Sequence, residues 1–152
     1  MDYIKEMRGL VGTRPLLLPG ALVIVERDDG KILLTRRTDT GEWSLPGGHM
    51  EPGETIQDTG RREVREETNI EVGELELVGI FSGKDFYYKY PNGDEIFKVT
   101  VVYSAPLLPS EVRPDRSEVL ELSYFDVHRL PGDLFDQERT IIEAYAKSRA
   151  AG

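Results

Sequence analysis

The sequence predicts a layered domain of the α/β or α+β class. Three observations carry that expectation. Short apolar, β-branched runs bounded by turn residues recur through the middle of the chain. Two longer segments have a helical period instead, one acidic and central, one near the C-terminal end. No repeat, low-complexity tract or interdomain linker divides the 152 residues, so strands and helices must share one core. Hydrophobic residues make up 39% and charged residues 31%, which supports a packed core and argues against a disordered chain.

Taken in order, residues 2 to about 10 predict a short helix with Ile4, Met7 and Leu10 on roughly one side. VGTRPLLLPG is apolar but holds two prolines, so it is expected to be extended. Residues 1–19 are therefore read as a helix plus an apolar arm, able to pack on its own domain or on a second copy in a homodimer. Residues 20–150 are read as the main domain. ALVIVER and KILLTRR predict strands joined at Asp28-Asp29-Gly30, where the DG pair favours a type I′ turn. EWSLP is a short extended piece leading to Gly47-Gly48. Thr55–Thr68 predicts the central helix, with Thr55 as cap, Asp58 in an Asp variant of the capping box and Asn69 as the terminating residue. ELELVGIF is a strand. FYYKY and EIFKVTVVYSA form a hairpin with its turn at Asn92-Gly93. PLLPSEVRPDRS is a loop, VLELSYFDV a last strand, and FDQERTIIEAYAKSRA a closing helix with Ile141, Ile142 and Tyr145 inward.

Composition excludes several functions. The chain has no cysteine, which removes disulfides, thiolate metal sites and a cysteine nucleophile, and is consistent with a reducing compartment. A formal net charge of −9 argues against binding a nucleic-acid polymer or an anionic membrane surface. The longest apolar run, Pro15 to Val25, is too short to span a bilayer, and the N-terminus lacks the apolar core of a signal peptide, so a cytoplasmic protein is expected. An acidic protein that handles a phosphorylated substrate needs local help, and a bound divalent cation supplies it.

The central helix carries the chemistry. On a wheel with Val64 at zero, Glu67 lies near −60°, Glu63 near −100° and Glu66 near −160°, all roughly, so three carboxylates share one face about 100° wide. Glu63 and Glu67 repel each other by a few tenths of a kcal/mol at this spacing. Gly60, on nearly the same line, costs roughly 1 kcal/mol against alanine. Both penalties make sense if a cation sits over that face and the missing side chain leaves room for a loop or ion. Hard oxygen ligands suit Mg²⁺ or Mn²⁺, and a carbonyl of Gly47 or Gly48 could add one more oxygen. The plainer reading is a solvated acidic face laced with i,i+4 ion pairs, and the preceding glycine loop weighs against it.

Spacing then adds a resemblance. Five residues separate Gly48 from Glu54, and seven more lead to Arg62-Glu63-Val64-Arg65-Glu66-Glu67-Thr68-Asn69-Ile70. This resembles the Nudix box, G-x5-E-x7-R-E-U-x-E-E-x-G-U, with U an apolar residue. Asn69 stands where the family has glycine, and asparagine tolerates the left-handed backbone of a helix end better than other residues. Six fixed identities and two apolar positions arise by chance on the order of once in a million. WSLPGG and the flanking strands extend the similarity over roughly residues 20 to 148.

The resemblance implies a Nudix-type α/β/α sandwich, with a mixed sheet between the catalytic helix and a C-terminal helix. It implies Mg²⁺- or Mn²⁺-dependent hydrolysis of a nucleoside diphosphate linked to another group X. Among residues, it implies Gly48 (or Gly47), Glu63, Glu66 and Glu67 as metal ligands and Arg62 as the group that orients the glutamates. Glu54 would hold the loop or an outer water, and Val64, Ile70 and Ile56 would be core. Glu63 and Glu67 lead as general base, with Glu118 or Glu121 as outsiders.

For the small nucleotide substrate, Arg36 and Arg37 are candidate phosphate contacts, with solvated surface as the equal alternative. Tyr87 and Tyr88, among Phe86 to Tyr90, are candidate base contacts, with cross-strand packing as the alternative. ADP-ribose pyrophosphatases of this family tend to carry a proline where this chain has Asp85 and Phe86. Dinucleoside polyphosphate hydrolases tend to carry a tyrosine near the position of Tyr87 and Tyr88. Trp43 is expected to pack beside the loop, and His49, next to Gly48, to be solvated, with a phosphate contact as the alternative; His128 is unassigned. Competing functions are a non-catalytic Nudix-fold nucleotide sensor and an acidic interaction domain.

Overall fold

The computed structural model describes residues 2–109 and 119–151. In chain order the elements are α1 (Tyr3–Val11), β1 (Leu16–Glu26), β2 (Ile32–Arg37), β3 (Trp43–Ser44), β4 (Gly47–His49), α2 (Ile56–Thr68), β5 (Glu76–Phe81), β6 (Tyr87–Lys89), β7 (Glu95–Pro106), β8 (Val119–Phe125) and α3 (Asp136–Ala151). The strands form one mixed, curled sheet running β3-β2-β1-β7-β5, with β4 on β1, β6 on β7 and β8 on β2.

β1 is the spine. It pairs in parallel with β7 from Leu16↔Ile96 to Glu26↔Pro106. Its other edge meets β2 only at Glu26↔Ile32. Where β2 has peeled away, β4 takes that edge antiparallel, through Gly20↔His49, Ala21↔Gly48 and Leu22↔Gly47. This split edge is what brings the glycine pair into the sheet.

Alternation along the central strands builds two cores. Val23, Val25 and Leu33 point to one face, where Val64, Ile70 and Val72 cover them under α2. Ile24, Ile32 and Leu34 point to the other, against Trp43, Leu134, Ile141, Ile142 and Tyr145 under α3. The result is the expected α/β/α sandwich. Trp43 is a packing residue, edge-on to Phe125 at 5.0 Å between ring centroids.

Several expectations need correction. The apolar stretch before residue 20 is extended and packs on its own domain, but it belongs to the main sheet: Leu16–Pro19 open β1, held by the parallel ladder to Ile96–Val99. Neither hairpin has a type I′ turn, because only Gly30 and Gly93 take a positive φ, 86° and 95°, and Asp29 and Asn92 do not. Instead Gly30 N–H bonds to Arg27 and Gly93 N–H to Tyr90, with one left-handed glycine closing each loop. Asn69 does adopt φ 60°, ψ 26°, and its N–H bonds to the Arg65 carbonyl. Gly60 makes room for the sheet rather than for an ion: a Cβ there would lie 3.1 Å from Val23 and 3.6 Å from Ala21. Among the described residues no helix is long and apolar enough to cross a membrane.

Candidate active site

Val64 is fully buried on the sheet, and that fixes the roll of α2. With Val64 down, Glu63 and Glu67 turn toward β4, and Glu66 turns outward into solvent. Glu67 is only 9% exposed, and its Oε2 accepts from Gly47 N–H at 3.3 Å. Glu63 lies directly against Gly48. A Cβ on Gly48 would stand 2.5 Å from the Glu63 Cδ, so only glycine lets the strand approach this closely.

Arg62 ties the acidic groups together. Its Nε and Nη2 donate to the two oxygens of Glu54 at 2.6 and 3.0 Å. Its Nη1 donates to Glu63 at 2.9 Å and Glu66 at 3.2 Å, and Nη2 also reaches the His49 carbonyl at 3.1 Å. Glu54 also accepts from Glu51 N–H and from the Thr59 hydroxyl. The Arg62 guanidinium, with these further donors, holds the Glu54 carboxyl down to about 2. The same pairing, with Glu54 first and Glu63 next, raises the Arg62 pKa. Arg62 thus screens carboxylates that would otherwise repel each other.

Gly48, Glu63, Glu66 and Glu67 all line one open cavity of about 820 Å³. Their oxygens are the hard donors that divalent ions of this kind take, and the missing side chain at Gly48 lets the strand lie directly against Glu63. Among the described residues, no three acidic or histidine side chains converge as a ready-made cage. Arg62 engages Glu63 and Glu66, so a cation would compete with it for the same oxygens.

The other candidates separate. Arg37 lines the cavity, its guanidinium forked onto Asp39 at 2.9 and 2.7 Å. Arg36 points away, to the Gly41 carbonyl, Glu121 and Asp133, and Glu121 is therefore occupied outside the cavity. Tyr87 also lies outside, bonded to Glu95 and packed on Phe97. Tyr88 lies in a side crevice with Arg37, Tyr90, Lys98 and Phe135. Glu118 falls outside the described residues. Ile56 is half-buried, and His128 sits exposed in the turn after β8.

Sequence reasoning missed a buried polar group behind the glycine strand. His49, expected to be solvated, is half-buried in the cavity wall, and its Nε2 lies 3.3 Å from the Tyr90 hydroxyl. Burial, then the charges of Lys98 and Arg37, push its pKa down to about 4. Glu138, 6% exposed, accepts from Leu45 N–H and so ties α3 to the loop leading to Gly47. Burial raises its pKa, and burial lowers that of Lys98, whose Nζ donates to Gln137 at 2.9 Å. A signal existed: Glu138 stands on the same helical stripe as Ile141, Ile142 and Tyr145.

Comparison with known proteins gives the family. A NUDIX domain profile matches residues 16–145. The chain belongs to the Nudix hydrolase family. It is similar to the ADP-ribose pyrophosphatase of Methanocaldococcus jannaschii, 33% identical over 143 residues, covering 91% of this chain and 80% of that protein. It is also 34% identical over 119 residues to the NAD-capped RNA hydrolase NudC of Pseudomonas fluorescens, covering 77% of this chain but 39% of that longer protein. Among solved structures, the MutT NUDIX hydrolase of Burkholderia pseudomallei aligns with a TM-score of 0.72 at 27% identity, over 85% of this chain and 98% of that one. Hydrolases of this family act on small nucleotides and generally use divalent metal ions.

Proposed function

We propose that this chain is a divalent-metal-dependent pyrophosphohydrolase of a nucleoside diphosphate linked to X, with ADP-ribose and nucleotide sugars the leading substrates. One observation carries the reading: Glu63 and Glu67 face the Gly47–Gly48 strand inside a cavity large enough for a nucleotide, while Arg62 organises the acidic face. The similarity to an ADP-ribose pyrophosphatase over nine-tenths of the chain favours a sugar-linked X.

Glu63, Glu66, Glu67 and the Gly48 carbonyl would hold Mg²⁺ or Mn²⁺. When bound, such an ion neutralises phosphate oxygens and lowers the pKa of water. Glu67 or Glu63 accepts the proton of the attacking water. The water oxygen bonds to phosphorus, the bridging P–O bond breaks, and the bridging oxygen leaves with the second phosphate. Arg37 meets the phosphates from the end of β2, and Arg62 keeps the carboxylates oriented. Tyr88, beside Arg37 in the side crevice, is the remaining candidate for stacking the base.

The test is release of phosphate and mononucleotide from ADP-ribose, nucleotide sugars, dinucleoside polyphosphates and normal or oxidised nucleoside triphosphates. Each is run with Mg²⁺, with Mn²⁺ and with chelator. Metal-dependent turnover of a sugar-linked nucleotide is the expected result. No turnover of any substrate, with nucleotides still raising the melting temperature, would replace the enzyme with a nucleotide sensor.

A further inference from the structure

The short helix α1 stands apart from both cores: none of its residues is buried. A nine-residue helix is too short to persist alone, so something else must hold it. Arg8 does. Its Nη1 donates to the carbonyls of Gly12 at 3.0 Å and Arg14 at 2.6 Å, and its Nη2 to the Glu95 carbonyl at 2.7 Å. Its Nε lies 3.6 Å from Asp94, and the side chain is only 12% exposed. Arg8 therefore clamps α1 onto the hairpin that carries Tyr90. At the other end, Tyr3 N–H donates to Glu51 Oε2 at 3.3 Å, across to the segment that follows the glycine strand.

Those two attachments stretch α1 along the mouth of the active-site cavity. Asp2 and Ile4 line the same cavity as Glu63, Glu66 and Glu67. This side of it is negative. The Asp2 carboxylate caps Lys5 N–H and that of Glu51 takes Tyr3 N–H, and neither forms an ion pair among the described residues. Both cavity arginines are matched by carboxylates, Arg37 by Asp39 and Arg62 by Glu54.

We infer that α1 is the wall of the cavity that receives X, and that Ile4 and Asp2 make the site favour a neutral, hydroxyl-bearing X over one carrying further phosphates. The inference rests on the function proposed above. Sugar hydroxyls donate to carboxylates, and Ile4 offers an apolar surface to the ring; an added phosphate meets like charge.

The experiment is steady-state kinetics of the full chain with Mg²⁺ on ADP-ribose, UDP-glucose and ATP, with melting temperatures alongside. Arg8→Gln unclamps the wall, Ile4→Ala trims it, and Asp2→Asn keeps a good helix cap while removing the charge. Arg8→Gln and Ile4→Ala are expected to raise KM for the better sugar substrate about ten-fold, with the loss falling on KM rather than kcat. Asp2→Asn is expected to lower KM for ATP relative to that sugar substrate. Wild-type KM values in Arg8→Gln and Ile4→Ala, in an active protein, would overturn the wall, and an unchanged KM for ATP in Asp2→Asn would overturn the charge selection. Preference of the wild type for ATP over both sugar nucleotides would overturn the charge selection. A wild type inactive on every substrate would overturn the proposed function, and the wall with it.

Discussion

Replacing Gly48 by alanine tests the centre of the site with a single methyl group. Gly48 has no positive φ, so the backbone accepts alanine. The new Cβ would lie 2.5 Å from Glu63 Cδ, 2.6 Å from Oε1 and 2.7 Å from Oε2, where ordinary contact begins at 3.4 Å. The carboxylate must therefore retreat by 0.7 to 0.9 Å, from the differences 3.4 − 2.7 and 3.4 − 2.5. Glu63 is a side chain at a cavity rim and can swing away. The expected cost in stability is thus below about 1 kcal/mol, or a fall in melting temperature of no more than about 4 °C. Catalysis does not forgive the same movement: a displacement near 1 Å costs on the order of a hundred-fold in rate, about 2.7 kcal/mol. The assay is kcat against Mg²⁺ concentration, with a melting curve on the same sample. Gly47→Ala is the control. Its Cβ would meet the Ala21 carbonyl oxygen at 2.2 Å and Leu22 Cα at 2.9 Å, both backbone, so that variant should lose stability first. Wild-type turnover in a folded Gly48→Ala protein would refute the placing of Glu63 in the machinery.

Three further predictions follow from the same contacts. Glu67→Gln keeps an oxygen to accept from Gly47 N–H, so it should stay folded yet lose kcat by orders of magnitude; near-normal turnover would remove Glu67 from the ligand set. Arg62→Ala leaves Glu54, Glu63 and Glu66 without their shared cation. Its melting temperature in chelator should fall by the equivalent of about 1–3 kcal/mol, and Mg²⁺ should restore more of it than in wild type; equal Mg²⁺ shifts in both proteins would contradict the competition between Arg62 and the metal. Acid should unfold the protein in two windows. His49 has a folded pKa near 4 against 6.5 free, so the unfolded state binds the extra proton and stability is lost as pH falls from 6.5 toward 4. That loss is at most about 3 kcal/mol and should vanish in His49→Gln, as urea unfolding at stepped pH would show. Glu54 is depressed from 4.5 to about 2, so its contribution is present above 4.5 and disappears over that lower interval.

The parts of the site that were legible in the sequence are local ones. The cap at Thr55, the left-handed Asn69 and the face shared by Glu63, Glu66 and Glu67 all follow from helical geometry within one segment. The box spacing added the glycine pair, read there as a loop and found in the structure as strand β4 on β1. Tyr90, His49, Lys98 and Glu138 were not read as one group, because they come from four segments that meet only when β7, α3 and the hairpin fold onto β4. Arg36 and Arg37 were indistinguishable as neighbours at a strand end. The pleat sends them to opposite sides, one to Glu121 and Asp133, the other to Asp39 in the cavity.

The sequence by itself determined the helices, most of the strands and the acidic face of α2, since each depends on periodicity along one stretch of chain. Only the tertiary structure decided which strands pair. The parallel ladder of β1 with β7 joins residues 80 apart, as Leu16 with Ile96, and it absorbed Leu16–Pro19 into the sheet. The split edge of β1 decided where Gly48 would stand relative to Glu63. No local pattern encodes such partners, because the free energy that selects them comes from burying both sheet faces at once. The same holds for α1: its sequence specifies a short helix, and Arg8 reaching across 87 residues to Glu95 gives it a place beside the active site.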